Sequence, residues 1–199
     1  MPTGPNQQET PSEAALLRSI QLRDRAAFEE LYTLYYRRLY GYLIRQLLPS
    51  DLIEEVINDV MYVVWKDAEK FQGRSRVSTW IFGIAYFSAL KRLRKDPREQ
   101  EVSDQEIANR EAEDPGRDIW RRELRLALLK ALRALSPEHR AVVELTYFQD
   151  CSYREISEIV GCPVNTVKTR MFHARLRLRD ILRNLGIREG SWQREGASG

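Results

Sequence analysis

The chain has 199 residues, 43% of them hydrophobic and 31% charged, which allows one large or two small domains with ordinary cores. No apolar run approaches the length of a bilayer span, and the polar start Met1-Pro-Thr-Gly-Pro has no signal-peptide core, so the sequence reads as cytoplasmic with no membrane insertion. The net charge of +3 identifies no partner by itself, but residues 91 to 98 form a basic run and Glu99 to Asp118 is strongly acidic, a separation that suggests separate surfaces for separate partners.

In chain order, residues 1 to 12 read as disordered. A helical pattern begins near Ser12, breaks around Arg23-Asp24, and resumes at Arg25. Phe28, Leu31, Tyr32, Tyr35, Leu39, Tyr42 and Leu43 then recur at helical spacing through Leu48. Pro49-Ser50-Asp51 ends that helix and caps the next, expected to run to about Lys70. Residues 72 to 78 form a loop of small and basic residues. A long helix follows from Val77 or Ser78 to Lys95, stopped by Asp96-Pro97. These elements, residues 13–97, make a first domain.

Residues 98–118, with Pro115-Gly116 and little apolar periodicity, read as a flexible interdomain linker. A second helical domain spans 119–185. It holds a helix from Trp120 to Leu135, a helix start at Ser136-Pro137, with the serine as N-cap and the proline at the first helical position, and a helix-turn-helix. Residues 186–199 form a loose tail. No strand-period segment is evident, so the fold class is all-α, two small helical domains joined by an acidic linker.

The helix-turn-helix is the most specific local feature. A short helix from about Ser152 to Val160 puts Ile156, Ile159 and Val160 on one face. Gly161 supplies the permissive backbone for a tight turn, and Pro163 suits the start of the next helix. Asn165, Thr166, Lys168, Thr169 and Arg170 then occupy the first turns, where a recognition helix meets base edges and phosphates. The rest of this helix is basic, with Arg175, Arg177, Arg179 and Arg183 opposed only by Asp180. A solvated face normally mixes its charges, so the segment points to DNA binding. Cys151 and Cys162 flank its first helix at no zinc spacing, and His139 and His173 complete no metal set, so no metal or other cofactor is expected and the thiols read as reduced.

Three segments in order carry a family resemblance: Leu52-Ile-Glu-Glu-Val-Ile-Asn-Asp-Val-Met-Tyr-Val-Val-Trp65, Ser78-Thr-Trp-Ile-Phe-Gly-Ile-Ala85, and Cys162-Pro-Val-Asn-Thr-Val-Lys-Thr-Arg170. Together they resemble the extracytoplasmic-function (ECF) group of bacterial RNA polymerase sigma factors, the smallest of the sigma-70 family, over about residues 14 to 185. The resemblance implies sigma region 2 at 13–97 and region 4 at 119–185. It also implies a subunit that binds core RNA polymerase and promoter DNA and promotes melting, with an anti-sigma factor as the usual regulator. Glu54, Glu55, Asn58 and Asp59 form a polar, mostly acidic helix face that corresponds to the family's grip on a basic polymerase coiled coil. Glu55 and Asp59, four apart, repel unless a cation lies across them.

Under the same resemblance, Arg74, Arg76, Val77, Ser78, Thr79 and Trp80 correspond to the reader of the downstream (−10) element, with Lys91 and Arg92 continuing a positive track. A small-residue loop lets the backbone approach a base taken out of the stack, and arginines track phosphates. Trp80 suits base stacking, although a Trp on an amphipathic helix is more often core. Asn165, Thr166, Lys168, Thr169, Arg170, Phe172 and His173 correspond to the reader of the upstream (−35) element, with His173 standing where an arginine is expected. The acidic linker suits mimicry of a phosphate chain in the polymerase cleft, or a plain spacer.

The competing reading is a conventional helix-turn-helix regulator that acts without joining the polymerase. It leaves the first hundred residues without a role. Catalysis is not expected: there is no Gly-rich phosphate loop, metal-hydrolase motif or nucleophile motif, and the carboxylates read as solvent-facing.

Overall fold

The computed structural model describes residues 12–95 and 127–184. The proposed linker at 98–118, most of the helix expected from Trp120, and the tail lie outside these residues. Every regular element among the described residues is helical. The first lobe contains α1 (Glu13–Gln21), α2 (Arg25–Arg45), α3 (Ser50–Asp67) with a 3₁₀ turn (Ala68–Lys70), and α4 (Val77–Lys95). The second contains a helical stretch at 127–133, then α5 (Pro137–Tyr147), α6 (Tyr153–Val160) and α7 (Val164–Asn184).

Local chemistry sets the boundaries. Ser12 caps α1 by accepting from the Ala15 amide, and Asp24 caps α2 by accepting from the Ala26 and Ala27 amides. Two expected ends fall earlier. α2 stops at Arg45 rather than Leu48, because Leu47 adopts a left-handed φ of 62° and turns the chain. α3 stops at Asp67 rather than Lys70, its last turn tightening into the 3₁₀ segment. Pro49 takes the N-cap position of α3 without a side-chain cap bond.

In the first lobe α2, α3 and α4 pack around Leu31, Tyr35, Leu39, Ile53, Ile57, Val60 and Phe82, all at 0% exposure. Burying each contributes roughly 1.5–3 kcal/mol. In the second lobe α5 and α6 pack on α7 through Val142, Ile156, Ile159, Val167 and Met171. Ser136 caps α5 with Pro137 at its first position, as expected from the sequence.

The two lobes are docked on one another. α6 lies along α4 and α5 touches α2, so one continuous core runs through both lobes. Just before α4, Arg76 pairs with Glu155 at 3.2 Å, and on α4 Gly83 sits beneath Ile159 and the Phe87 ring reaches Gly161. A Cβ at Gly83 would lie 3.9 Å from the Ile159 carbonyl oxygen, an ordinary van der Waals contact, so the two helices are closely packed there.

The α2–α5 contact is polar. Arg45 donates to Glu144 from Nη2 at 2.6 Å and from Nε at 3.0 Å, and the Glu144 side chain is wholly buried. Arg140, also buried, donates to the carbonyls of Gln46 (2.7 Å), Leu132 and Leu135 (both 3.0 Å). Glu144 overturns the expectation that the carboxylates face solvent: it lies within the apolar run Ala141-Val-Val-Glu-Leu145, and Arg45 from the other lobe makes its burial tolerable.

Candidate nucleic-acid and polymerase interfaces

The helix-turn-helix is built by local rules. Ser152 and Glu155 form a reciprocal capping box at the start of α6, and Gly161 closes the helix in the left-handed region with φ 67° and ψ 36°. Ile156, Ile159 and Val160 are buried as the spacing required. α7 then presents Asn165, Lys168, Thr169, Phe172 and His173 to solvent, with Thr166 and Arg170 half-buried. The Arg170 guanidinium lies 3.7 Å from the Cys162 sulfur, and the Thr169 hydroxyl donates to the Asn165 carbonyl. Phe172 is 59% exposed, its ring centre 5.4 Å from that of His173. The His139 ring lies 6.4 Å from that of His173. Burial, then the neighbouring His173 and Arg170, push the His139 pKa down.

The residues assigned to the downstream element separate into three groups. Arg74 and Lys91 are exposed. Arg76 is exposed but paired with Glu155 of the second lobe. Burial opposes ionisation of Glu155, but hydrogen bonds from Ser152 and Arg76 outweigh it and hold its carboxyl below the ordinary range. Val77, Ser78 and Thr79 are buried at 4%, 5% and 3% exposure, so they offer no surface to DNA in this docked arrangement. Trp80 is half-buried, its ring 5.3 Å from Phe71, at the rim of the core. Arg92 turns away from the positive track and holds Glu55 and, at 3.2 Å, Asp59 on α3. It is the cation that the spacing of those two carboxylates required.

Glu54, Glu55, Asn58 and Asp59 are all exposed along α3. A ladder of tyrosines on α2 borders them: Tyr32, Tyr36 and Tyr40 stack at centroid distances near 6 Å. The Tyr32 hydroxyl donates to Asn58 at 3.0 Å and that of Tyr36 donates to Glu54. The hydrogen bond to Glu54 pushes the Tyr36 pKa up to about 12. Beside this face lies a groove of about 460 Å³ lined by Phe28, Tyr32, Met61, Tyr62 and Trp65. Helical spacing marks Tyr32 as one of the apolar positions of α2 and gives Tyr36 no role of its own. The i, i+4 spacing of Tyr32, Tyr36 and Tyr40 was the available signal.

No group of three or more His, Cys, Asp or Glu side chains among the described residues could hold a metal ion. Nor is any helix among them long and apolar enough to cross a membrane.

Comparison with known proteins finds two family matches. Residues 31–99 match Sigma-70 region 2, and residues 125–178 match Sigma-70, region 4. The ECF RNA polymerase sigma factor RpoE of Cereibacter sphaeroides is 35% identical over 168 residues, covering 83% of this chain and 92% of that protein. The chain belongs to the ECF RNA polymerase sigma factors. The RNA polymerase sigma factor YlaC of Bacillus subtilis is 29% identical over 79% of this chain and 93% of its own length. Among solved structures, the sigma factor RpoE of Bartonella quintana, in complex with the anti-sigma factor NepR, superposes with a TM-score of 0.63. It is 26% identical over 78% of this chain and 96% of that one. CnrH, solved with the cytosolic domain of CnrY, has a TM-score of 0.64 at 21% identity over 85% of this chain and 96% of its own, a likeness of fold. As an ECF sigma factor, the chain is an RNA polymerase sigma factor in which α6 and most of α7 fall within region 4 and α4 within region 2.

Proposed function

We propose that this sigma factor directs core RNA polymerase to promoters by reading two elements with its two lobes. Region 2, residues 13–97, grips a basic polymerase helix through Glu54, Glu55, Asn58 and Asp59, with the tyrosine ladder bordering the contact. Complementary charge there sets orientation and partner choice. Arg74, Arg76 and the start of α4 meet the downstream element and favour its melting, while Lys91 tracks phosphates. Region 4, residues 119–185, reads the upstream element through Asn165, Thr166, Lys168, Thr169, Arg170, Phe172 and His173. The acidic segment 98–118 joins the two, and catalysis belongs to the polymerase.

An anti-sigma factor is the natural regulator: the Bartonella quintana relative is solved with one. The observation that carries this reading is the exposed first half of α7, set by a left-handed glycine turn and bearing Lys168 and the uncovered Phe172.

Run-off transcription with core bacterial RNA polymerase on a genomic promoter library tests it. Promoter-specific transcripts that appear only when the chain is added support the proposal. No new transcripts, together with tight sequence-specific DNA binding by the chain alone, would replace it with a conventional helix-turn-helix regulator.

A further inference from the structure

The corner between α1 and α2 holds the root of the loop that precedes α4. Where α3 tightens into its 3₁₀ turn, the Ala68 carbonyl accepts the Phe71 amide at 3.1 Å, and two side chains from the corner add donors at the carbonyls of this turn and its flanks. The Gln21 amide Nε2 donates to the carbonyls of both Ala68 (3.1 Å) and Phe71 (3.3 Å), bracketing the turn. Arg23 donates from Nη1 to the Trp65 carbonyl and from Nη2 to the Glu69 carboxylate, both at 2.9 Å. Its guanidinium also lies 5.8 Å from the centre of the Trp65 ring.

The backbone that aims these groups is itself unusual. Arg23 has a φ of 65°, a left-handed conformation that costs a side-chain-bearing residue roughly 1–2 kcal/mol. Held strain of this kind persists where surrounding contacts over-determine it. The loop these contacts anchor includes Gly73, with φ 69° and open space where a Cβ would sit. Between α1 and the loop lies a cavity of about 410 Å³, walled on one side by Leu17, Arg18 and Gln21 and on the other by Phe71, Ser75 and Val77. Loop and α1 therefore form one unit: moving the root moves the wall of the cavity.

We propose that Gln21 and Arg23 are positioning residues for reading the downstream element, fixing the loop at residues 71–76 by the carbonyls at its root. This rests on the assignment of that loop to promoter reading. Neither residue touches DNA in this account. Each acts through the backbone that carries Arg74 and Arg76, and a displacement of about 1 Å in such a constellation is enough to lose discrimination.

The test is transcription by core polymerase reconstituted with the full chain, on templates randomised separately at the downstream and upstream elements, with base preferences read by sequencing the transcripts. Gln21→Met keeps length and bulk but removes the amide, and Arg23→Met removes the donors to Trp65 and Glu69. Each should lower discrimination at the downstream element by about fivefold, the worth of one positioned hydrogen bond. Preference at the upstream element and affinity for polymerase should stay at the unsubstituted level. Gln21→Lys, which restores a donor, should recover part of the loss.

Full downstream preference in both methionine variants would overturn the inference. So would a parallel loss at both elements with a lowered melting temperature, since that is the mark of a general structural role. If the unsubstituted chain itself shows no downstream preference, the promoter-reading assignment fails, and the inference with it.

Discussion

Lys91 and Arg92 are adjacent cations on α4 with different fates. Lys91 is exposed, whereas the Arg92 side chain, 26% exposed, crosses to Glu55 and Asp59. A guanidinium already held by two carboxylates has little charge left for a phosphate. Lys91→Ala should therefore reduce the salt slope of promoter-complex formation by about 0.9, the share of one phosphate contact, while Arg92→Ala leaves the slope unchanged. Both carboxylates are more than half exposed, so loss of the Arg92 pairs should cost no more than about 1 kcal/mol of stability. An equal slope change in the two variants would return Arg92 to the DNA face. Cys151 makes a second prediction at this scale. Burial pushes its thiol up to about 11 from an ordinary 9.0, with Glu155 adding to the shift. Stability from packing the neutral thiol is then complete below pH 9 and is lost as pH rises through 11. In a Cys162→Ser background, the alkylation rate at Cys151 should keep climbing past pH 9. A plateau there would mean an ordinary, open thiol.

At the scale of elements, α6 is short enough that its two ends decide whether it forms. Ser152→Ala removes the acceptor of the capping box and should lower unfolding free energy by about 1 kcal/mol. Gly161→Ala forces a Cβ into the left-handed region, at roughly 1–2 kcal/mol. It also sets that Cβ 3.5 Å from the Phe87 ring, an ordinary contact, so backbone strain should dominate. Denaturant unfolding measures both; unchanged midpoints would show that α6 is held by its neighbours rather than by its caps. These ends were readable in the sequence because capping and glycine turns act over three or four residues. So were the buried face of α6 and the exposed face of α7, which follow from helical period alone. The early ends of α2 and α3 were not, because Leu47 takes a left-handed turn that no glycine or asparagine announces. The fates of Arg76 and Arg92 were equally hidden: a sequence shows an arginine, but its partner lies on another helix 79 residues away for Arg76 and 37 or 33 away for Arg92.

At the scale of the whole molecule, the docking of the lobes combines an apolar α4–α6 seam, continuous with the core, and a polar α2–α5 contact. Its polar part leaves Tyr42 OH, Gln46 Nε2 and Glu144 Oε2 buried without a hydrogen-bond partner among the described residues, and each such atom costs about 1–3 kcal/mol. Burial pushes the Glu144 pKa up even against the pull of Arg45. These costs fall on the α2–α5 side of the docking, and the apolar α4–α6 side holds the lobes together. Sequence gave no direct sign of this contact, since Glu144 in an apolar run and Gly83 within a helix become informative only once α2 and α4 supply the opposite surface. Under the proposed assignment, Arg76 reads the downstream element only when it leaves Glu155, which holds it in the docked lobes. Two substitutions test this from different sides. Glu155→Gln preserves the capping box, which glutamine also serves, but removes the negative charge that faces Arg76. It should raise DNA affinity of the isolated chain by less than about fivefold, as for an exposed ion pair. Gly83→Leu drives a side chain into the Ile159 backbone and should separate the lobes outright, seen as a larger radius of gyration in solution scattering and faster alkylation of Cys151. DNA affinity should rise further in this variant while its helix content stays constant. A Gly83→Leu chain that expands and labels faster without gaining DNA affinity would show that docking does not mask the reader, and that polymerase contacts alone decide when promoter DNA is bound.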